Sequence, residues 1–299
     1  MRFLLDASAA EFVLHSPVFD RGRLARSFVG NGILFSDGDH WKERRRLIQP
    51  TFPPREPDYH RQDVTWAVPG LVNRFETAAR TQTSVGVVEE SVRYTTRVLY
   101  RGVFGQELPE DHDRVRVILD YFDSIGGVLS ATIFPSLRLD GSTMRQVRDA
   151  TSAMQVEVDR LVEVRRRRDS ESTPEPEPEP EAVRIDALGK IVDRLGSEGD
   201  ENAIRDEVRS LLVAGAETTS NTLGFLLLML ATNPDLCDRL HRELEGDGDD
   251  ECPFLDAVIL ETLRLFPPVW FQTREATEPA DVLGARVEKD DLVFVSTAV

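Results

Sequence analysis

Three short stretches of this 299-residue chain hold residue types whose spacing could do chemistry. In Leu212-Val213-Ala214-Gly215-Ala216-Glu217-Thr218-Thr219-Ser220, a glycine, an acid and adjacent hydroxyls interrupt an apolar run. These are poor choices for a buried helix interior, and local rule-breaking of this kind is expected at functional sites. Small side chains at Ala214 and Gly215 leave a groove where a flat ligand could approach the backbone. Thr218 can return a hydrogen bond to the carbonyl of Ala214, which opens a polar notch, and Glu217 beside it could deliver protons there. A packing patch of small residues with a snorkelling acid would give the same pattern.

The second stretch is Glu261-Thr262-Leu263-Arg264, followed by Leu265-Phe266-Pro267-Pro268. Glu261 and Arg264 share a helix face at i and i+3, and taken alone they are an ordinary surface pair. The third is Trp41-Lys42-Glu43-Arg44-Arg45-Arg46. Trp41 and Arg45 are four apart, an apolar ring beside a cation suited to a carboxylated aromatic ligand. An exposed basic helix is the competing reading.

Helices must position these residues. Periodicity predicts helices over Ala7 to Leu14, about His40 to Gln49, Tyr59 to Arg80, Val87 to Val103, Asp111 to Leu129, Ser142 to Arg168, and from near Ala203 to Asn233-Pro234. Ser36-Asp37-Gly38-Asp39 supplies capping chemistry for the helix that carries Trp41. Strand signals are weak until Val282 to Val299, which alternates well enough for two short strands around Lys289-Asp290-Asp291. The Pro/Glu-rich segment 169–183, with four Pro-Glu pairs between Pro174 and Glu181, reads as a disordered loop inside a single domain covering 1–299.

Composition narrows the class. A formal charge of −17 argues against binding nucleic acid or an anionic membrane. Cys237 and Cys252 cannot form a disulfide framework. Only Lys42, Lys190 and Lys289 among the 36 basic residues are lysines. This acidic, lysine-poor surface resembles that of halophilic cytoplasmic proteins, where molar salt shrinks the Debye length to about 3 Å and screens self-repulsion. Met1-Arg2-Phe3-Leu4-Leu5 reaches Asp6 too early for a signal peptide. Leu211 to Thr232 is long enough to span a bilayer, but its polar centre from Glu217 to Thr222 favours a buried core helix.

Taken together and in this order, the stretches resemble the cytochrome P-450 family of haem-thiolate monooxygenases. Asp37-Gly38-Asp39-His40-Trp41 through Arg45, and on to Pro50-Thr51-Phe52, resembles the family's haem-flanking helix. Ala214-Gly215-Ala216-Glu217-Thr218-Thr219 resembles its oxygen-activating helix, and Glu261 to Pro268 its Glu-x-x-Arg helix and following turn. Asn233-Pro234-Asp235, Glu243-Leu244 and Arg274-Glu275-Ala276-Thr277 sit where the family has similar segments. The resemblance implies a mainly α fold: a helical bundle around haem with small β-sheets, here incomplete. It implies that Trp41, Arg45 and Arg274 hold haem propionates and that Ala214 and Gly215 line the distal haem face. Thr218 would hydrogen-bond the dioxygen being activated, with Glu217 in its proton relay. Glu261 and Arg264 would be structural, holding the loop that carries the iron ligand.

The resemblance also implies haem b, dioxygen, a ferredoxin or flavoprotein reductant, and a hydrophobic small-molecule substrate. Residues 121–133 and 269–272, with Phe122, Val128, Leu129, Trp270 and Phe271, are the segments expected to face that substrate, unless they pack the core. The family's axial cysteine lies in a Phe-x-x-Gly-x-x-x-Cys-x-Gly segment beyond the Glu-x-x-Arg helix. Neither Cys237 nor Cys252 stands in that pattern. The expectation is therefore a chain truncated at both ends that lacks the Cys-ligand loop and is inactive by itself. The alternative is a non-catalytic truncated remnant without functional haem.

Overall fold

The computed structural model describes residues 2–4, 6–22, 26, 29–52, 61–110, 113–133, 140–171, 187–246 and 252–297. They form two compact units, one of residues 1–23, 86–91 and 217–299, the other of residues 24–85 and 92–216. In chain order the elements are β1 (Arg2–Leu4), α1 (Ala7–His15), β2 (Phe19–Asp20), α2 (Gly38–Ile48), α3 (Arg61–Thr81), α4 (Val87–Phe104), α5 (Arg114–Ile133), α6 (Gly141–Glu171) and α7 (Ala187–Ser197). They continue with α8 (Glu201–Thr232), α9 (Pro234–Leu244), α10 (Pro253–Leu265), β3 (Phe271–Ala276), β4 (Ala280–Val282), β5 (Ala285–Val287) and β6 (Leu292–Ser296). The fold is mainly α with small sheets. Of the Pro/Glu-rich segment, Asp169 to Glu171 complete α6, and the Pro-Glu pairs lie outside the described residues.

The helical unit is built on apolar residues at helical spacing. From α4 come Val92, Leu99, Tyr100, Val103 and Phe104; from α6 Met154, Val158, Leu161 and Val162; from the first half of α8 Ile204, Val208, Leu211 and Leu212. Each large apolar side chain removed from water contributes about 1.5–3 kcal/mol. Tyr121 of α5 belongs to this core, Phe122 and Ile125 pack against it, and Val128 is buried. Core packing, the competing reading, thus accounts for these α5 residues; the side chains of Leu129 to Ile133 lie outside the described set. α8 is a core helix only as far as Ala216: of residues 217–232, expected to be buried, only Ser220 and Gly224 are, and α8 is long and apolar enough to cross a membrane by length and composition. Tyr100, edge-on to Phe104, donates its hydroxyl to Glu157 Oε1 at 2.6 Å, so its buried polar atom is satisfied.

The other unit carries both sheets. β1 runs parallel to β6, β6 antiparallel to β3, and β3 antiparallel to β2, giving the order β1-β6-β3-β2. β4 and β5 form a separate antiparallel pair. Ala9, Val13, Phe19, Ala276, Val282, Val287, Val293 and Val295 make its core. The strands on either side of Lys289-Asp290-Asp291 therefore join different sheets. β1, β2 and β4 are not marked by sequence periodicity because they are only two or three residues long and gain stability only from their partners.

Candidate active site

α8 is framed by its flanking side chains. Asp200 Oδ1 accepts the Ala203 N–H at 2.9 Å at the start. At the end Asn233 Nδ2 donates to Met229 O at 2.8 Å, and Pro234 opens α9. Midway along, Ala214, Gly215, Glu217 and Thr218 are half-buried and Ala216 is fully buried. Ser220 Oγ donates to Glu217 O at 2.9 Å and Thr222 Oγ1 to Thr218 O at 3.0 Å, so two successive carbonyls carry an extra donor. No ion pair of Glu217 occurs among the described residues, and burial pushes its carboxyl above the usual range. A half-buried carboxyl that holds its proton more readily is suited to proton delivery.

Gly215 has a packing reason of its own. A Cβ there would lie 2.6 Å from Leu99 Cδ1, so the glycine lets α4 approach α8 closely. That space is filled by leucine.

On α2, the Arg45 guanidinium lies 5.1 Å over the Trp41 ring. Arg45 is exposed and has no carboxylate partner among the described residues, so its donors are available to an anion. Asp37 holds the N-cap position of α2, which starts at Gly38 rather than near His40, but makes no capping bond. Its carboxylate instead receives Arg26 Nη2 at 2.5 Å, and Asp39 pairs with Lys42 at 2.8 Å. The expected cap is thus spent on neighbouring cations.

The basic run also departs from an exposed face. Arg44 is buried at 5% exposure and faces Glu207 of α8, itself 1% exposed, with Nε 3.5 Å from Oε1. Glu207 Oε2 accepts the Ile33 N–H at 2.9 Å. Sequence reasoning missed this pair. The signal available was Asp206-Glu207, two acids just ahead of the apolar run of α8.

In the other unit, Glu261 and Arg264 on α10 make a bidentate contact, Nε to Oε2 at 2.7 Å and Nη2 to Oε1 at 2.6 Å. Arg264 holds the Glu261 carboxyl below its ordinary range. Both side chains are more than half exposed. Because exposed pairs contribute little, Arg264→Met is expected to leave the thermal midpoint of the 299-residue chain unchanged in a calorimetric scan; a clear fall would mean the pair supports more than itself. α10 is started from outside: Glu243 of α9 accepts the Phe254 and Leu255 N–H groups at 2.8 and 3.0 Å. Phe266 stacks on Phe225 of α8 at 4.4 Å. Arg274, half-buried on β3, donates to Thr273 O and Gln272 Oε1. Trp270, read as substrate-facing, is 54% exposed. Cys237 is exposed on α9, and Cys252 sits at the N-cap of α10.

Trp41, Arg45, Ala214 and Gly215 therefore lie in the helical unit, and Glu217, Thr218, Glu261, Arg264 and Arg274 in the other. The chain is 26% identical over 302 residues to cyclooctat-9-en-7-ol 5-monooxygenase of Streptomyces melanosporofaciens, covering 96% of this chain and 63% of that protein. It is 25% identical to pentalenene oxygenase of Streptomyces avermitilis, with 94% and 63% covered. The chain thus spans less than two thirds of the length of these relatives. A crystal structure of a cytochrome P450 (CYP102L1) superposes with a TM-score of 0.70 at 22% identity, over 98% of this chain and 67% of that one, and shows the same fold. The family model for cytochrome P450 matches residues 2–299. With that match running through both units and all three motif stretches, the chain belongs to the cytochrome P450 family.

Proposed function

We propose that this chain is part of a haem-dependent monooxygenase that inserts one oxygen atom from dioxygen into a hydrophobic organic substrate, with electrons from a ferredoxin or flavoprotein. The observation that carries this reading is Glu217 and Thr218, half-buried at mid-helix, with the carboxyl poised by burial to hold a proton. Within the helical unit the residues fit a haem carboxylate: Arg45, braced on the Trp41 ring and without a carboxylate partner among the described residues, would hold a propionate, and by the family resemblance Arg274 would hold one as well. Haem held by an axial thiolate would supply the oxygen-activating chemistry, the thiolate's electron donation favouring O–O cleavage. Ala214 keeps the α8 surface low. Thr218 Oγ1 orients the oxygen by hydrogen bonding, and Glu217 passes a proton towards it. Glu261 and Arg264 are structural in this reading, and both units belong to one domain. Relatives named for cyclooctat-9-en-7-ol and pentalenene oxidation support an apolar, terpenoid-like substrate.

Neither Cys237 nor Cys252 serves as the axial ligand in this reading, and the 299 residues alone do not hydroxylate. Oxygen- and reductant-dependent product formation by the purified chain with haemin would overturn that statement. The monooxygenase reading is tested in a chimera joining this chain to the part of the cyclooctat-9-en-7-ol 5-monooxygenase that it does not cover. Glu217→Gln and Thr218→Val are each expected to lower its turnover about a hundredfold with haem content intact. Undiminished turnover removes both residues from the mechanism.

We also place the protein in a salt-rich cytoplasm, on its charge of −17. Raising the salt from about 0.1 M to about 1 M, where the Debye length falls from about 10 to about 3 Å, is expected to raise its thermal midpoint by several degrees. A midpoint that stays flat or falls counts against salt adaptation.

A further inference from the structure

The Arg44–Glu207 contact joins a residue inside the Trp41 to Arg45 stretch to one that stands in none of the motifs, and its chemistry is incomplete. Two oppositely charged side chains, 5% and 1% exposed, face each other at 3.5 Å, a separation too long for a good hydrogen bond. Among the described residues, Arg44 Nε and Nη1 and Glu207 Oε1 have no hydrogen-bond partner, nor do the hydroxyls of Ser36 and Ser210. Among the described residues, Glu207 is anchored at its other oxygen alone, by the Ile33 N–H. A buried carboxylate with one backbone donor and one distant guanidinium is poorly solvated, and such a site favours the neutral acid.

The groups around it sharpen that preference. Arg44 from α2 favours the charged form, and Asp206 on the same turn of α8 disfavours it. Asp206 is itself engaged by the Asn31 N–H at 2.8 Å and by Arg209 at 3.3 Å. The apolar side chains Leu188, Ile191, Val192 and Leu195 are what α7, the other helix packed on α2, buries. Arg44 directly precedes Arg45, so whatever holds Arg44 also holds the helix turn that presents Arg45 and Trp41.

We propose that Glu207 is a positioning residue for α2: its carboxyl, facing Arg44 and bonded to Ile33, sets how firmly the helix carrying Trp41 and Arg45 docks on α8, and its proton is the switch. Docking is firmest with Glu207 neutral. It loosens as the carboxyl ionises, because an α2 that lifts away lets the carboxylate reach water. Burial raises the Glu207 carboxyl to about 7, which puts the change near neutral pH. The link from α2 to haem carboxylates rests on the function proposed above; the docking itself does not.

Amide hydrogen exchange on the full 299-residue chain, corrected for intrinsic rates, tests the docking. Between pH 6 and pH 8 the opening of residues 38–48 is expected to grow about tenfold in the wild type. In Glu207→Gln it is expected to stay near the wild-type pH 6 value throughout. PH-independent protection of α2 in the wild type, or an unchanged pH profile in Glu207→Gln, overturns the proposal. Should Glu207→Gln not fold, Arg44→Met decides: removing the facing cation is expected to move the transition to higher pH, and an unmoved transition overturns it. Haemin titration tests the link separately. Affinity is expected to fall from pH 6 to pH 8 in the wild type, to stay level in Glu207→Gln, and to be weak at both pH values in Arg45→Ala. If exchange behaves as expected while haemin binding ignores Arg45, the docking stands and the haem reading of α2 fails.

Discussion

Between pH 5 and pH 8 the folded chain is expected to lose about 2–3 kcal/mol of stability through Glu207 alone. The sign follows from where the proton sits. The buried carboxyl titrates at about 7 when folded, against an ordinary value of 4.5. Its contribution is fully present below 4.5, where both states are protonated. From there to about 7, unfolding releases a proton, so stability falls as pH rises, and above 7 nothing further is lost. Most of the loss falls between pH 5 and 7. Urea midpoints across this range, compared between the wild type and Glu207→Gln, check it. The other acidic groups act in both proteins, so their difference isolates Glu207. Parallel curves would mean that the carboxyl is already ionised in the folded chain at pH 5.

Gly32→Ala is expected to cost about 3 kcal/mol, a large effect for one methyl group. A Cβ at this position would overlap the backbone of α8: it would meet the carbonyl oxygen of Asp206, lie 2.8 Å from its carbonyl carbon, and press on Ser210 Oγ. Backbone inside a helix cannot move aside as a flexible side-chain tip can, so the loop 31–36 must lift. That loop carries the Ile33 N–H to Glu207, and it ends at Asp37, the N-cap of α2. Denaturant unfolding gives the cost directly. A loss below about 1 kcal/mol would show that the loop relaxes freely. At Gly215 the opposing atom is the tip of Leu99, so Gly215→Ala is expected to cost less.

Much of this protein was legible in its sequence. Ala214-Gly215-Ala216-Glu217-Thr218, Trp41 with Arg45, and Glu261 with Arg264 carry the resemblance to the family that the family model bears out, because motifs of fixed residue type and order are more specific than packing patterns. Long helices such as α4, α6 and α8 announce themselves by a 3.6-residue apolar period, and Asn233-Pro234 marks the end of α8. Local chemistry suffices for such features, because their residues are near neighbours in the chain.

Tertiary structure decided the rest, wherever the partner of a residue lies far along the chain. β1 is a strand because it lies beside β6, some 290 residues on, which no local pattern in Arg2-Phe3-Leu4 encodes. Asp37 has the composition of a cap, but Arg26 takes its carboxylate. Gly215 reads as room for a ligand, and Leu99 fills it. Arg44 stands in a basic run that looks wholly exposed, yet Glu207 and Arg44 are buried together. Charge and burial cannot both be assigned from residue type, since the cost of burying a charge depends on what the fold sets opposite it.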